Sequence, residues 1–166
     1  MRRARDLIGL PVVELTGGEH VGEVRDVLFS SDGGVHSLLL AKGTMLSASK
    51  IVPKEKLHGV GQDAVTIEKQ DAIEEFRDET GLVRSLIQGD VQMVGKEVLT
   101  QDGNYLGTVA DVYLDQELYT IAGYEVSEGF LTDLKEGRKV LPAHPAIMVG
   151  QDTLLVPTDT ELAEEL

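Results

Sequence analysis

The stretch VGQDAVTI (residues 60–67) returns almost unchanged as VGQDTLLV (residues 149–156), 89 residues further along a chain of 166. Two other pairs keep the same order. GEVRDVLF (22–29) matches GTVADVYL (107–114) at an offset of 85, and KIVP (50–53) matches KVLP (139–142) at an offset of 89. Chance similarity would not keep three pairs collinear, so the sequence predicts an internal repeat of two homologous units.

Each unit has the pattern of short β-strands separated by polar turns. In the first, the apolar runs 10–15, 21–29 and 35–41 are separated by Thr-Gly-Gly and Ser-Ser-Asp-Gly-Gly, and runs at 50–53 and 64–67 follow. The second unit repeats this plan from residue 98 to 156. Five short strands predict a small closed barrel or a sandwich, because closure removes exposed strand edges.

Two segments outside the repeated strands are predicted to be helical. Between the units, Ile73 and Phe76 lie three residues apart, as on one face of a helix that Gly81 would end. Residues 82–87 predict a further short helical turn. The final stretch TDTELAEEL (158–166) predicts a C-terminal helix with Thr158 or Asp159 as its N-cap.

The composition excludes several kinds of chemistry. The chain contains no Cys, which excludes disulfides, Cys-ligated zinc, iron–sulfur clusters and thiol catalysis. The formal net charge is −14, and residues 91–166 alone contain 4 Lys and Arg against 14 Asp and Glu. A surface of this sign repels phosphate, so direct nucleic-acid binding is not expected. No stretch approaches the ~20 apolar residues that span a bilayer, so we expect a cytoplasmic protein with no membrane span.

The repeated motifs resemble the PRC-barrel family in its tandem bacterial form. They are GLPVVE (9–14), GEVRDV (22–27) and IVP (51–53), with second copies GKEVLT (95–100), GTVADV (107–112) and VLP (140–142). The resemblance implies a mainly β fold of two PRC-type β-barrels over residues 1–70 and 91–158, a helical linker over 71–90 and a helical tail over 159–166. It also implies a docking or assembly module.

Two better-known members of the family have specific roles that we do not transfer. They are the cytoplasmic part of the photosynthetic reaction centre H subunit and the C-terminal domain of a ribosome maturation factor. The sequence lacks the membrane helix expected of the first, and it leaves no room before Leu7 for the extra N-terminal domain of the second.

Two patterns that are typical of ligand sites are better explained as turns. Residues 59–64 fit the G-x-G-x-x-A pattern of dinucleotide sites, but they lead into a predicted strand rather than a helix. Residues 102–104 resemble the start of a calcium loop, but Leu106 offers no oxygen ligand at the fifth position. We therefore predict no cofactor and no metal site from local patterns.

The four histidines, His20, His36, His58 and His144, show none of the spacings of metal sites, although convergence in space stays open as an alternative.

Asp26 and Asp111 occupy equivalent strand positions in the two units. A carboxylate kept in both halves of a duplication favours a structural role, such as accepting backbone N–H groups at a bulge or a strand crossing. A functional role for these carboxylates is the alternative. No catalytic residue is predicted, and we do not expect an enzyme.

Two hairpin loops carry large apolar residues where polar ones are usual. The first loop (KGTMLSASK, 42–50) contains Met45 and Leu46, and the second loop (SEGFLTDLKEGRK, 127–139) contains Phe130, Leu131 and Leu134. They either are buried, by folding back over the barrel mouths or by packing the loop of one barrel on the other, or form an exposed patch for a partner or a second copy of the chain. In the second loop, residues 133–136 predict a single helical turn that ends at Gly137.

The sequence therefore predicts a non-catalytic protein-binding or assembly module, whose partner is another protein or a second copy in a homodimer. One alternative is a regulatory protein that binds a small ligand or a metal. Another is an accessory factor that contacts the ribosome through proteins, as the ribosome maturation factor does.

Overall fold

The computed structural model describes residues 1–89, 91–118 and 120–166. The chain divides into two compact units, which we call the first unit (residues 5–85) and the second unit (residues 1–4 and 86–166). The fold is mainly β, as predicted. Within the described residues the single α-helix is α1 (Phe130–Glu136), and three short 3-10 helices span Ala4–Leu7, Lys54–Lys56 and Gln70–Ala72.

The strands are numbered along the chain. They are β1 (Arg2–Arg3), β2 (Pro11–Glu14), β3 (His20–Glu23), β4 (Asp26–Phe29), β5 (Val35–Ala41), β6 (Ser49–Pro53), β7 (Gly59–Val60), β8 (Val65–Ile67), β9 (Glu74–Phe76), β10 (Arg84–Ser85), β11 (Glu97–Thr100), β12 (Tyr105–Leu114), β13 (Ile121–Ser127), β14 (Lys139–Pro142), β15 (Met148–Val149) and β16 (Thr153–Val156).

The two units share one pattern of strand pairing. In the first unit, β10-β4-β5-β6-β9 form one sheet and β3-β2-β8-β7 form another. In the second unit, β14-β13-β12-β11-β16-β15 form a single path, because β12 runs unbroken where the first unit has separate β3 and β4. The pairs β2–β8 and β11–β16 are both parallel, and their neighbours are antiparallel. The predicted repeat is thus also a repeat of structure.

Strand β12 shows why these residues form a sheet. From Leu106 to Val109 its residues alternate between half-buried and buried, which fits a strand with one face on the core. The pairing register with β13 then shifts between Val109 and Asp111, so one extra residue enters the strand as a bulge. Beyond the bulge, Asp111, Val112 and Leu114 are buried.

Equivalent glycines begin each repeat in the same way. Gly9 and Gly95 have φ of 92° and 93°, where a side chain is strained. Their N–H groups donate to the carbonyls of Val24 and Val109, each at 2.8 Å. The G-x-G-x-x-A pattern also lies in a hairpin turn, because the Gly61 N–H donates to a carbonyl between β7 and β8 at 2.9 Å.

The segment that precedes each repeat along the chain pairs with a strand of the other repeat. Strand β10, which precedes the second repeat, pairs with β4 through Arg84 opposite Phe29. Strand β1, which precedes the first repeat, pairs with β12 through Arg2 opposite Leu114. Phe29 and Leu114 are equivalent at an offset of 85, so the two arms are equivalent as well.

Each unit has its own apolar interior. The largest fully buried side chains of the first unit are Leu7, Val12, Val24, Val27, Phe29, Leu38 and Ile67. Those of the second unit are Leu86, Met93, Leu114, Leu141 and Leu154.

The helix predicted in the linker over 71–90 is wrong. Among the described residues of this range, 71–89, the helical structure is limited to the 3-10 turn Gln70–Ala72, and strands β9 and β10 follow. Strand β9 pairs with the edge of β6, and Phe76 packs on the apolar cluster of Leu28, Leu39 and Ile51. Ile73 and Phe76 have helical spacing, but pairing with the sheet edge is more favourable, because it satisfies backbone hydrogen-bonding groups and also buries the aromatic side chain.

The helix predicted for the tail over 159–166 is also wrong. The tail forms no helix, and Ala163 exchanges two backbone hydrogen bonds with Val140 on β14, at 2.7 and 2.8 Å. The same pair exists in the first unit as Glu74 and Ile51, again at an offset of 89. The tail is therefore a second copy of β9, and sheet pairing overrides its helical pattern for the same reason.

Candidate functional site

The two apolar loops occupy equivalent positions in the repeats. The first loop connects β5 to β6, and the second loop connects β13 to β14.

Short hydrogen bonds close the first loop on itself. The Gly43 N–H donates to the Ser49 hydroxyl at 2.9 Å, and the Thr44 N–H donates to the Ser47 carbonyl at 2.9 Å. The Leu46 N–H donates to the Thr44 hydroxyl at 3.1 Å. The turn is so tight that a Cβ on Gly43 would lie 2.5 Å from the Ser47 carbonyl oxygen. The loop backbone is therefore ordered before anything binds to it.

Met45 and Leu46 lie at the tip of this loop. Each is 97% exposed, so neither folds back over the barrel.

The second loop contains α1, which extends the predicted turn by one further turn. The Asp133 N–H donates to the Gly129 carbonyl at 2.9 Å, and the Gly137 N–H donates to the Asp133 carbonyl at 3.0 Å. The helix ends before Gly137, as the sequence predicted. Seven residues are too few for a helix that is stable by itself in water, so α1 needs contacts with the rest of the unit.

Polar contacts rather than apolar packing hold α1 in place. The Asp133 carboxylate accepts hydrogen bonds from the Ser127 hydroxyl at 2.6 Å and from the Glu128 N–H at 3.1 Å. Arg138 Nε lies 3.4 Å from the same carboxylate. These three donors, led by the Ser127 hydroxyl, lower the pKa of Asp133.

The apolar side chains of α1 face away from the core. The helix buries none of its residues, and Phe130, Leu131 and Leu134 are 80%, 71% and 74% exposed. All five predicted surface residues are therefore exposed. Of the two interpretations left open by the sequence, folding back over the barrels is wrong for both loops.

The charges that are not in ion pairs sum to a positive value in the first loop and to a negative value in the second. In the first loop, Lys50 pairs with Glu75 at 2.9 Å, and no pair of Lys42 is found in the part of the chain that the structure describes. In the second loop, Arg138 lies between Glu125 and Asp133, while Lys139 lies 3.7 Å from Glu164. The remaining charges there are Glu128, Glu136 and Lys135.

Asp26 and Asp111 are 0% and 2% exposed. Each carboxylate accepts the N–H of the following residue, Val27 or Val112, at 2.8 Å. Asp111 directly follows the bulge in β12, where the sequence predicted this kind of contact. The geometry fits the structural role better than a functional one.

Within residues 1–89, 91–118 and 120–166, no three His, Asp or Glu side chains come together in an arrangement that could hold a metal ion. The His36 ring packs against the Phe76 ring in a tilted arrangement, with centroids 4.8 Å apart and an interplanar angle of 46°. His144 Nδ1 accepts the Ala146 N–H at 3.0 Å.

Each unit also contains an open cleft. The cleft of the first unit has a volume of about 440 Å³, and it places His36 and Phe76 beside Asp32, Glu55 and Lys54. The cleft of the second unit has a volume of about 400 Å³ and lies between the end of β14 and residues 157–161.

Sequence reasoning missed a buried ionic cluster in the second unit. The side chain of Glu125 is 5% exposed, and its Oε1 lies 3.3 Å from Arg3 and 3.5 Å from Arg138. Arg3 also lies 5.8 Å from the centre of the Tyr113 ring, and a hydrogen bond with Tyr113 is the main cause that raises the pKa of Arg3. The signal was an acidic residue inside the apolar run IAGYEVS (121–127), where the first repeat has Leu39.

A second missed feature is the buried Lys96. It is 4% exposed, and its ammonium donates to the carbonyls of Gly150 and Gln151 at 2.8 and 2.5 Å. These bonds fasten the β15–β16 turn to the start of β11.

No helix in the described part of the chain has the length and apolar character to cross a membrane.

Comparison with known proteins gives one family and one relative. The family model described as "PRC-barrel domain" matches residues 1–73 and again residues 89–163. A protein of Bacillus subtilis (strain 168), described as "Uncharacterized protein YrrD", is 25% identical over 157 residues, which cover 94% of this chain and 87% of that protein.

Proposed function

The chain belongs to the PRC-barrel family, and from that premise we propose that it is a non-catalytic protein-binding or assembly module. Each unit docks through the exposed apolar side chains of its own loop. The observation that carries the proposal is that α1 buries none of its residues and yet presents Phe130, Leu131 and Leu134 to solvent.

The chemistry of these side chains supports a protein partner. Exposed aromatic and large aliphatic side chains are the usual anchors of protein interfaces, and a chain with only 3 Phe presents one of them at 80% exposure. Burying each of Phe130, Leu131 and Leu134 would contribute about 1.5–3 kcal/mol before the cost of association.

The buried carboxylates support the non-catalytic part of the proposal. Asp26 and Asp111 each accept a hydrogen bond from a backbone N–H, which is a structural role that both repeats of the fold need. A duplicated scaffold accounts for both positions without any chemistry.

Affinity capture with a cross-linker tests the proposal. Wild-type protein is compared with Phe130→Asp/Leu134→Asp and with the control Leu82→Asp, which changes a half-exposed apolar residue outside both loops. The wild type and the control should retain the same saturable complex with a purified partner, and the α1 variant should lose it at least about tenfold. An α1 variant that binds as well as the wild type contradicts the proposal, provided that its circular dichroism spectrum is unchanged.

A regulatory protein that binds a small ligand is the second candidate function, favoured by the cleft of about 440 Å³ in the first unit. Binding to the native state alone raises the melting temperature, so a thermal-shift screen of small ligands separates this candidate from a docking module.

A further inference from the structure

We propose that the docking partner is a second copy of this chain, bound head to tail, with the first loop of one copy seated on α1 of the next. This inference rests on the proposed function, since it names the partner of the same apolar side chains.

The two loops differ in shape. Met45 and Leu46 project from a tip that hydrogen bonds hold closed, and both are 97% exposed. On α1, Phe130 and Leu134 are separated by four residues and share one face, with Leu131 beside them. A preformed apolar tip facing a preformed apolar helix face avoids most of the ordering cost of association.

Charge disfavours both symmetric ways in which two copies could pair. A contact between two α1 helices would bring Glu128, Lys135 and Glu136 of each copy, with a net charge of −1, against the same residues of the other, in halves (residues 91–166) that each have a net charge of −10. A contact between two first loops would bring Lys42 of each copy against Lys42 of the other. Like charges across an interface are strongly unfavourable.

The head-to-tail contact removes this conflict. It brings Lys42 of the first loop towards the acidic residues Glu128 and Glu136 instead. It also brings residues 1–90, whose net charge is −4, against residues 91–166 of the next copy, whose net charge is −10, so the repulsion is smaller than between two halves of −10.

The geometry has two consequences for assembly. Each copy carries one tip and one α1 acceptor, so the contact does not close on itself in a pair, and copies join into chains or rings. The contact involves five large side chains and lies below the roughly 800 Å² per partner of a standard interface. Assembly should therefore be weak, with a dissociation constant on the order of ten to one hundred micromolar.

Sedimentation velocity on the full-length chain tests the inference with a mixing experiment. The tip variant is Met45→Ser/Leu46→Ser, the acceptor variant is Phe130→Ser/Leu134→Ser, and the control is Leu82→Ser, all at exposed positions. For the wild type and the control, the weight-average sedimentation coefficient should rise with concentration beyond that of a dimer. Each variant alone should remain a monomer.

The equimolar mixture of the two variants is the deciding sample. The acceptor variant keeps an intact tip and the tip variant keeps an intact α1, so the mixture should form dimers and nothing larger. If the mixture remains monomeric, or if the tip variant alone still forms dimers, the head-to-tail contact is overturned. The second result would assign the interface to a pair of α1 helices.

Failure of this inference is distinguishable from failure of the proposed function. The wild type could be monomeric up to about 0.5 mM and still bind a different purified protein, with that binding lost in Phe130→Asp/Leu134→Asp. This result would overturn self-docking and leave the proposed docking module in place. A monomeric wild type that co-sediments with phosphatidylcholine vesicles, in a manner that depends on Met45 and Leu46, would assign the first loop to a lipid surface and also overturn self-docking.

Discussion

Replacing Asp26 or Asp111 with Ala should destabilise the unit that contains it, and by a similar amount in each case. Both carboxylates are buried at equivalent positions of the repeat, and both accept the N–H of the next residue at 2.8 Å. The substitution removes a charged acceptor and leaves a buried N–H without it. An Asn at the same position keeps an acceptor of similar shape but without the charge.

The size of the effect follows from the lost contacts. A hydrogen bond to a charged group contributes about 1.5–3 kcal/mol, and an N–H left unsatisfied in the interior costs about 1–3 kcal/mol. These overlap in part, so we expect each Asp→Ala variant to lose about 2–4 kcal/mol and each Asp→Asn variant about half of that. With a urea m-value of about 1–2 kcal/mol/M for a unit of this size, the midpoint should fall by about 2 M for Ala.

Urea unfolding followed by circular dichroism measures the loss, and hydrogen exchange with mass spectrometry locates it. Peptides within residues 5–85 should lose protection in the Asp26 variant, and peptides within 86–166 should lose it in the Asp111 variant. A midpoint that moves by less than about 0.3 M for Asp→Ala would refute the structural role, since it corresponds to under ~0.6 kcal/mol. Such a result would return these carboxylates to the list of functional candidates.

Three further predictions concern single residues. Burial raises the pKa of Tyr124 to about 12, so the phenol of the unfolded chain ionises first, and stability should fall by about 2 kcal/mol between pH 10 and pH 12. Tyr124→Phe lacks the ionising group, so urea unfolding of this variant and of the wild type should diverge only above pH 10. Gly43→Val should open the first loop, because the added Cβ would lie 2.5 Å from the Ser47 carbonyl oxygen. Sedimentation velocity should then show that self-assembly is lost although Met45 and Leu46 are still present. Self-assembly equal to that of the wild type would contradict the need for a preformed tip. Asp133→Asn should speed hydrogen exchange in α1. In the wild type, α1 should be protected from exchange above about pH 4 and should lose this protection as the pH falls through the lowered pKa of Asp133. Equal protection at pH 3 and pH 6, after correction for the intrinsic exchange rate, would contradict a role of the Asp133 carboxylate in holding α1.

The sequence was sufficient for the features that repeat. Gly9 and Gly95 stand at the same place in two copies of one motif, and the structure gives them the same φ and the same hydrogen bond. The apolar loop residues could be identified because Phe130 interrupts a stretch that is otherwise typical of a polar hairpin. The two repeats could therefore be aligned with each other, and the positions that they share could be recognised as structural.

Features that depend on a distant partner could not be predicted. Phe76 has helical spacing to Ile73, but its conformation is set by the edge of β6 and by an apolar cluster that comes from other strands. Glu125 replaces Leu39 of the first repeat, and nothing local reveals that Arg3 and Arg138 lie on either side of it. Such contacts are decided by tertiary packing, which overrides local propensity.

The central claim is that the apolar side chains of the two loops form an interface, and hydroxyl-radical footprinting across a dilution series tests it most directly. If the account is right, oxidation of Met45, Leu46, Phe130, Leu131 and Leu134 is reduced at high protein concentration, while oxidation of Leu82 and Tyr105, which are about half exposed, does not change. If the oxidation of each of the seven side chains stays the same at every protein concentration and with any candidate partner present, the loops are not an interface and the claim is contradicted.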